Sequence, residues 1–353
     1  MAAFFGTRAI AHDTEALRLR QAAAWFDAAQ HASRDGNTEA ALAGLRRAVS
    51  KDPGNRQYRL ALANALATTD RHEEAKRVLL ALREAQAEDP DTNLQLARLE
   101  ARGADADAAR RYYQNALTAL WRPELTEQRR HVRTELIEFL LAHEERARAL
   151  SELLVLAANL PQDAGVQVRV ARMFLTAGDP RLALEHYASA LRLNPKSPEA
   201  LAGAGEAAFE LADYNRALRY LKAVTPDDAR VAELREVARL VLDGDPLAPR
   251  LGANERRRRV LLAFDQAMRR LETCLTDPSV GANASLEPLR DEAQAFQASL
   301  GLPRRREPRD LVDDGIDLAY RIERAVEERC GAPLAPLDRA LLLIGRRHGF
   351  QEQ

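Results

Sequence analysis

Cysteine is almost missing from this chain: Cys274 and Cys330 are the only two in 353 residues. Neither lies in a CxxC or any other ligand spacing, which excludes a structural zinc site built on cysteine. The expectation for both is a free thiol, since a disulfide would require the two helices that carry them to touch. Aromatic residues make up only 5 %, and neither of the two arginine runs, Arg256 to Arg259 and Arg304 to Arg306, has one within it for a base to stack on. Lysine is confined to Lys51, Lys76, Lys196 and Lys222, so nearly all positive charge is arginine. The net charge of −1 supplies no general attraction to nucleic acid or an anionic membrane. No run approaches the ~20 apolar residues of a membrane helix, and Met1 to Gly6 is too short for a signal peptide. Signatures for phosphate loops, dinucleotide turns, zinc proteases and serine nucleophiles are also missing. The histidines (His12, His31, His72, His131, His143, His186 and His348) are scattered and never paired at helical spacing. No catalytic residue, metal ligand or cofactor site is expected.

What is present is a repeat. Ala41, Ala75, Ala109, Ala149, Ala183 and Ala217 form a column whose steps are 34 residues except for one of 40. Four residues later come Leu45, Leu79, Tyr113, Leu153, Tyr187 and Leu221. Three further on are Ala48, Leu82, Ala116, Leu156, Ala190 and Val224. These spacings place one small and two packing residues on a single helix face. An earlier helix in each unit carries its own stripe, centred on Ala29, Ala63, Ala97, Ile137, Ala171 and Gly205. Between the helices stand Gly36-Asn37, Asp70-Arg71, Gly103 to Asp105, Glu144-Glu145, Gly178-Asp179 and Ala212-Asp213, suited to ending a helix in the left-handed region. Glu100 departs from the pattern by occupying an apolar position. Residues 124–129 are an insertion that either lengthens a helix or loop, or forms a joint near 121–130.

A 34-residue two-helix unit of this kind resembles the tetratricopeptide repeat, most clearly in GDPRLALEHYASALRLNPKSPEALAGAGEAAFELADYNRALRYL at 178–221. The resemblance implies an all-α, right-handed superhelical solenoid of helix-turn-helix units with C-terminal capping helices. Six units are expected at 22–55, 56–89, 90–123, 130–163, 164–197 and 198–226, after an N-terminal extension of the first helix at 1–21. Residues 227–353 would hold a seventh, half-matching unit and a helical cap or small domain, with helices near 228–242, 255–275, 286–300, 309–329 and 337–348.

The resemblance also implies function: a scaffold or adaptor, not an enzyme, holding a protein or peptide in a groove lined by the first helices. Carried onto this sequence, one groove column is Phe26, Leu60, Leu94, Thr134, Val168 and Ala202. The next turn carries Gln30, Asn64, Arg98, Glu138, Arg172 and Glu206, and the one after it Ser33, Ala67, Ala101, Leu141, Leu175 and Phe209, with Arg102 and Arg169 nearby. Arginine grips carboxylates bidentately and apolar neighbours add area, so an acidic and apolar peptide would suit; the alternative is that these arginines are solvated or paired with Glu135, Glu138 and Glu206. The family's carboxylate clamp for chaperone tails is excluded, because only Asn64 fits it and Leu60 stands where a lysine is needed. Two other readings compete: a nucleic-acid-binding repeat using Arg256 to Arg259 and Arg304 to Arg306 with Arg309, and an enzyme with its site in the C-terminal helices. The first reading places the chain in the cytoplasm. Phe4, Phe5 and Ile10, ahead of a lengthened first helix, raise a second expectation: a membrane anchor upstream of Met1.

Overall fold

The structure, a computed structural model, describes residues 2–103, 105–225, 228–277, 286–300 and 308–349. For 2–13 and 308–311 it describes only the helical backbone, so Phe4, Phe5, Ile10, Arg304 to Arg306 and the Arg309 side chain lie outside the described residues. Those described form helices, turns and loops, without strand. The chain divides into two compact units, 1–158 and 159–353.

The first unit is a run of antiparallel hairpins: α1 (Ala2–Arg34) with α2 (Thr38–Lys51), α3 (Arg56–Thr68) with α4 (His72–Ala85), α5 (Pro90–Arg102) with α6 (Ala106–Thr118), and α7 (Thr126–Ala142) with α8 (Arg146–Ala157). The second opens with α9 (Ala164–Thr176) and α10 (Pro180–Leu193), then α11 (Pro198–Glu210) and α12 (Tyr214–Leu221). Helix starts are set by side-chain caps: Asn37, Asn55, Asp89, Asp105, Asp163, Asp179, Ser197 and Asp213 each accept the backbone N–H three residues on. Within the hairpins, Gly36, Asp70, Glu144, Gly178 and Ala212 end the first helix at positive φ, between 56° and 88°. The left-handed turn therefore recurs at one repeat position whether or not glycine occupies it.

All three columns are buried, and the alanine column is closed to solvent almost entirely. At Gly205 an added Cβ would lie 2.5 Å from Leu221 Cδ2, so the second column fills the space a larger residue would need. Glu100 is buried too, and Lys76 Nζ reaches it at 2.7 Å from the preceding hairpin, which raises the lysine's pKa through that hydrogen bond. The insertion makes a short 3-10 turn, Pro123–Leu125, and adds the first turn of α7, which runs 17 residues against 13 in α3 and α5. The division between the units falls at 158/159 rather than near 121–130. Helix α1, at 33 residues, is long as expected.

After α12 come α13 (Ala229–Gly244), α14 (Ala253–Thr276), α15 (Glu287–Ser299), α16 (Pro308–Cys330) and α17 (Pro336–Arg347), within one or two residues of the expected spans. Tyr214 of α12 shares one core with Val237 and Val241 of α13, Ile316 and Tyr320 of α16 and Ile344 of α17. A second core joins Phe264 and Leu271 of α14 to Phe296 of α15 and Ile322 and Val326 of α16. Asp245, in the break after α13, is buried and clasps three segments. Its carboxylate meets His348 Nε2 at 3.0 Å and takes the Leu247 N–H, and its carbonyl accepts from Arg259.

The free-thiol expectation is corrected. Cys274 and Cys330 form a disulfide, their Cα atoms 5.9 Å apart, because α14 and α16 pack along their length and bring together residues 56 apart in sequence. One turn back from Cys274, Arg270 pairs with Glu323, which is fully buried, and donates to the Gly331 carbonyl at 2.9 Å. Burial raises the Glu323 carboxyl to about 7, against the opposing pull of Arg270.

Two predictions follow from this packing. Ala183→Leu forces apart two backbones in contact and should destabilise the second unit by ~1–3 kcal/mol. Ala212→Gly relieves a left-handed alanine and should stabilise it by up to ~1 kcal/mol. Chemical denaturation measures both, and equal midpoints for the two variants would contradict the buried-column geometry. The second concerns pH. The unfolded chain releases the Glu323 proton near 4.5 and the folded chain near 7, so the folded state binds more protons between them and stability falls as pH rises through that window. Burial lowers the His186 pKa, which has the opposite sign, so the readout is the difference between wild type and Glu323→Gln. That difference should move against the wild type from about pH 4.5 to 7. A flat difference would mean that Arg270 keeps the folded carboxylate ionised.

Candidate functional site

The first helices of the first unit carry two adjoining depressions. One, of about 390 Å³, is lined from α3 by Asn64 and Ala67, from α5 by Gln95, Arg98, Leu99, Ala101 and Arg102, and closed by Tyr113 of α6 and Glu135 of α7. The other, of about 210 Å³, includes Gln30 and Ser33 of α1 and shares Asn64. Two of the expected groove columns, Gln30–Asn64–Arg98 and Ser33–Ala67–Ala101, thus line these depressions in register. The exposed Asn64 side chain stands where the two meet.

The column one turn earlier differs from expectation. Phe26 is 7 % exposed and packs on Tyr58 with ring centroids 4.7 Å apart, so it belongs to the core. Leu60 and Leu94 are half-buried, and Leu60 packs on the same core. In the second unit Val168 is 5 % exposed and likewise a core residue. Phe209 is half-buried and meets Tyr214 edge-on at 5.3 Å, against the core formed with the C-terminal helices. Arg169 and Arg172 are exposed, with Arg172 3.9 Å from Glu199. Open surface lies further toward the helix C-termini than the transferred geometry placed it.

The two arginines of the larger depression are not equivalent. Arg98 is held by Glu135 in a two-point contact, Nε to Oε2 at 2.9 Å and Nη2 to Oε1 at 2.5 Å. His131 Nε2 lies 3.1 Å from the same carboxylate. Donating to Glu135 raises the Arg98 pKa further, against the cost of burial. Burial also raises the Tyr113 hydroxyl to about 12, helped by Glu135 and opposed by Arg98 and Arg102, so the phenol stays neutral and can donate. Arg102 is exposed, with no carboxylate at ion-pair distance among the described residues. The floor of the depression is therefore a neutralised pair, and Arg102 is its open cation. Asn64 and Gln95 supply amide donors and acceptors, while Leu99, Ala67 and Ala101 supply apolar surface. Gln95, Leu99, Tyr113 and Glu135 were outside the groove columns read from the sequence. Tyr113 and Leu99 look like packing residues there, and Glu135, one of the carboxylates expected to pair with the groove arginines, does so with Arg98.

The arginine run Arg256 to Arg259 is largely engaged. Arg258 and Arg259 bind Glu255, and Arg256 donates to the Pro246 carbonyl. Among the described residues no cluster of His, Cys, Asp and Glu could hold a metal, and no helix is long and apolar enough to cross a membrane.

No curated protein matches the sequence. Among solved structures, similarity extends to MamA from AMB-1 (18 % identity, TM-score 0.38, covering 50 % of this chain and 94 % of that one). It extends also to YrrB, described as a TPR protein with an unusual peptide-binding site (22 %, 0.38, 55 % and 95 %), and to PilF of Pseudomonas aeruginosa (17 %, 0.33, 80 % and 99 %). A family model, the tetratricopeptide repeat, matches residues 32–99 and 174–240. By that match those two segments are tetratricopeptide repeats, and the hairpins, the buried columns and the recurring left-handed turns give the segments beside them the same two-helix form.

Proposed function

We propose that this protein is an interaction scaffold that holds an extended peptide segment of a partner across α1, α3 and α5. The observation that carries this reading is the paired depression around Asn64, with an open arginine at one end and amides along its length. Asn64, Gln95 and Gln30 would pair with the partner's backbone. Arg102 would take a carboxylate, and Leu99 with the two alanines would take an apolar side chain. Because Glu135 already neutralises Arg98, a single carboxylate suits the site better than an acidic run. A crosslinking pull-down with nuclease tests the reading. Capture should resist nuclease and weaken ~10–100-fold with Asn64→Ala and Arg102→Glu combined, the loss of one charged and one neutral hydrogen bond. The melting temperature should stay unchanged, since both side chains are exposed. Undiminished capture by the variant moves the site elsewhere, and nuclease-sensitive capture favours the nucleic-acid reading.

We infer also that the chain works in an oxidising compartment. Disulfides are rare where glutathione and thioredoxin keep thiols reduced, yet the only two cysteines are paired between α14 and α16. Closing a loop of this length stabilises a fold by ~4 kcal/mol in the chain-entropy model. Acid quenching of native cells, followed by maleimide labelling under denaturing conditions, reads the state directly. Both thiols should be unreactive until reductant is added, and immediate labelling of Cys274 and Cys330 would return the protein to a reducing cytosol.

A further inference from the structure

A third depression, of about 280 Å³, lies on the second helices of the first unit. It is lined by Arg83 of α4 and by Arg111, Tyr112, Gln114 and Asn115 of α6. None of these is acidic, and neither arginine has a carboxylate at ion-pair distance among the described residues. That sets them apart from their neighbours: Arg71, Arg98 and Arg110 in the same hairpins are each bound to a carboxylate. Arg83 lies with its guanidinium 5.5 Å over the Tyr112 ring. Its Nε is shielded from solvent and finds no acceptor in the protein. A charged donor withdrawn from water without an acceptor is costly. Gln114 and Asn115 bring further side-chain N–H donors to the same depression, and Tyr112 brings a hydroxyl.

We propose that this depression binds an oxyanionic side chain of a partner protein, a phosphate ester or a carboxylate. Arg83 and Arg111 supply the charge and the forked donors, Gln114 and Asn115 bind the remaining oxygens, and Tyr112 holds the Arg83 plane in place by cation–π contact. The site is independent of the one around Asn64. That one uses the first helices and Tyr113, whereas this one uses the second helices and Tyr112, the adjacent residue on α6.

Calorimetric titration of the full chain with three octapeptides of otherwise neutral sequence tests the proposal. Their central residue is phosphoserine, glutamate or serine. At least one anionic peptide should bind and the serine peptide should not. The titrations use an Arg102→Gln background, which removes the open cation of the Asn64 site; Arg111 is exposed, so adding Arg111→Gln should leave the fold intact while weakening that binding at least fivefold. The ratio of the two anionic affinities decides between phosphate and carboxylate. Binding should weaken as salt rises. Equal binding of the serine peptide, no binding by either anionic peptide, or undiminished affinity on adding Arg111→Gln would each overturn the proposal.

Discussion

Where the helices of a hairpin cross, their backbones come too close for anything much larger than alanine, and Ala41, Ala75, Ala109, Ala149, Ala183 and Ala217 fill that place. Four positions on stands a larger buried residue: Tyr187 packs against Gly203 of the next hairpin, and Leu221 against Gly205 of its own. A lone hairpin leaves that second face exposed, so stacking is obligatory rather than optional. The functional surface follows from the same constraint. Because α3 and α5 are held side by side through the residues that bury them, their remaining faces align Asn64 with Arg98 and Ala67 with Ala101.

This logic made most of the fold legible in the sequence. A 34-residue period in small residues, with turn residues at matching positions, fixes helix number, pairing and ends, and it holds even where the turn residue is Glu144 or Ala212 rather than glycine. The C-terminal helices were legible from apolar stripes bounded by Asp245-Pro246 and Gly331-Ala332-Pro333. The contacts between helices distant in sequence were not. Cys274 and Cys330 lie 56 residues apart, and nothing local marks them as partners. Phe26 and Val168 show a different limit. Successive turns of a helix rotate by a few tens of degrees relative to a neighbouring helix, so the boundary between core and open face cannot be transferred to better than one turn. Here it fell between Phe26 and Gln30.

Buried charge is arranged so that one hairpin supplies what the next lacks. Lys76 of α4 meets Glu100 of α5, Arg98 of α5 meets Glu135 of α7, and Arg110 of α6 meets Glu145 ahead of α8. Breaking one such pair leaves a half-buried charge uncompensated, which costs more than the pair contributes. These pairs therefore act against mis-stacking: a hairpin in the wrong order would bury a glutamate without its cation. Glu100, which interrupts the apolar pattern, then ties the third hairpin to the second.

The same pairing shapes what the surface can recognise. Had Arg98 been free, the depression around Asn64 would hold two cations and attract any acidic stretch. With Glu135 bound to it on two points, the net charge offered to a partner is that of Arg102 alone, at the C-terminal end of α5. If a peptide binds as proposed, specificity would then come from where its carboxylate sits relative to the Asn64 and Gln95 amides, and from the fit of an apolar side chain against Leu99. Charge placed one residue out of register would leave Arg102 unpaired and gain nothing from Arg98. On the proposed reading, a tied arginine would turn a general anion-attracting patch into a site that reads the position of one charge.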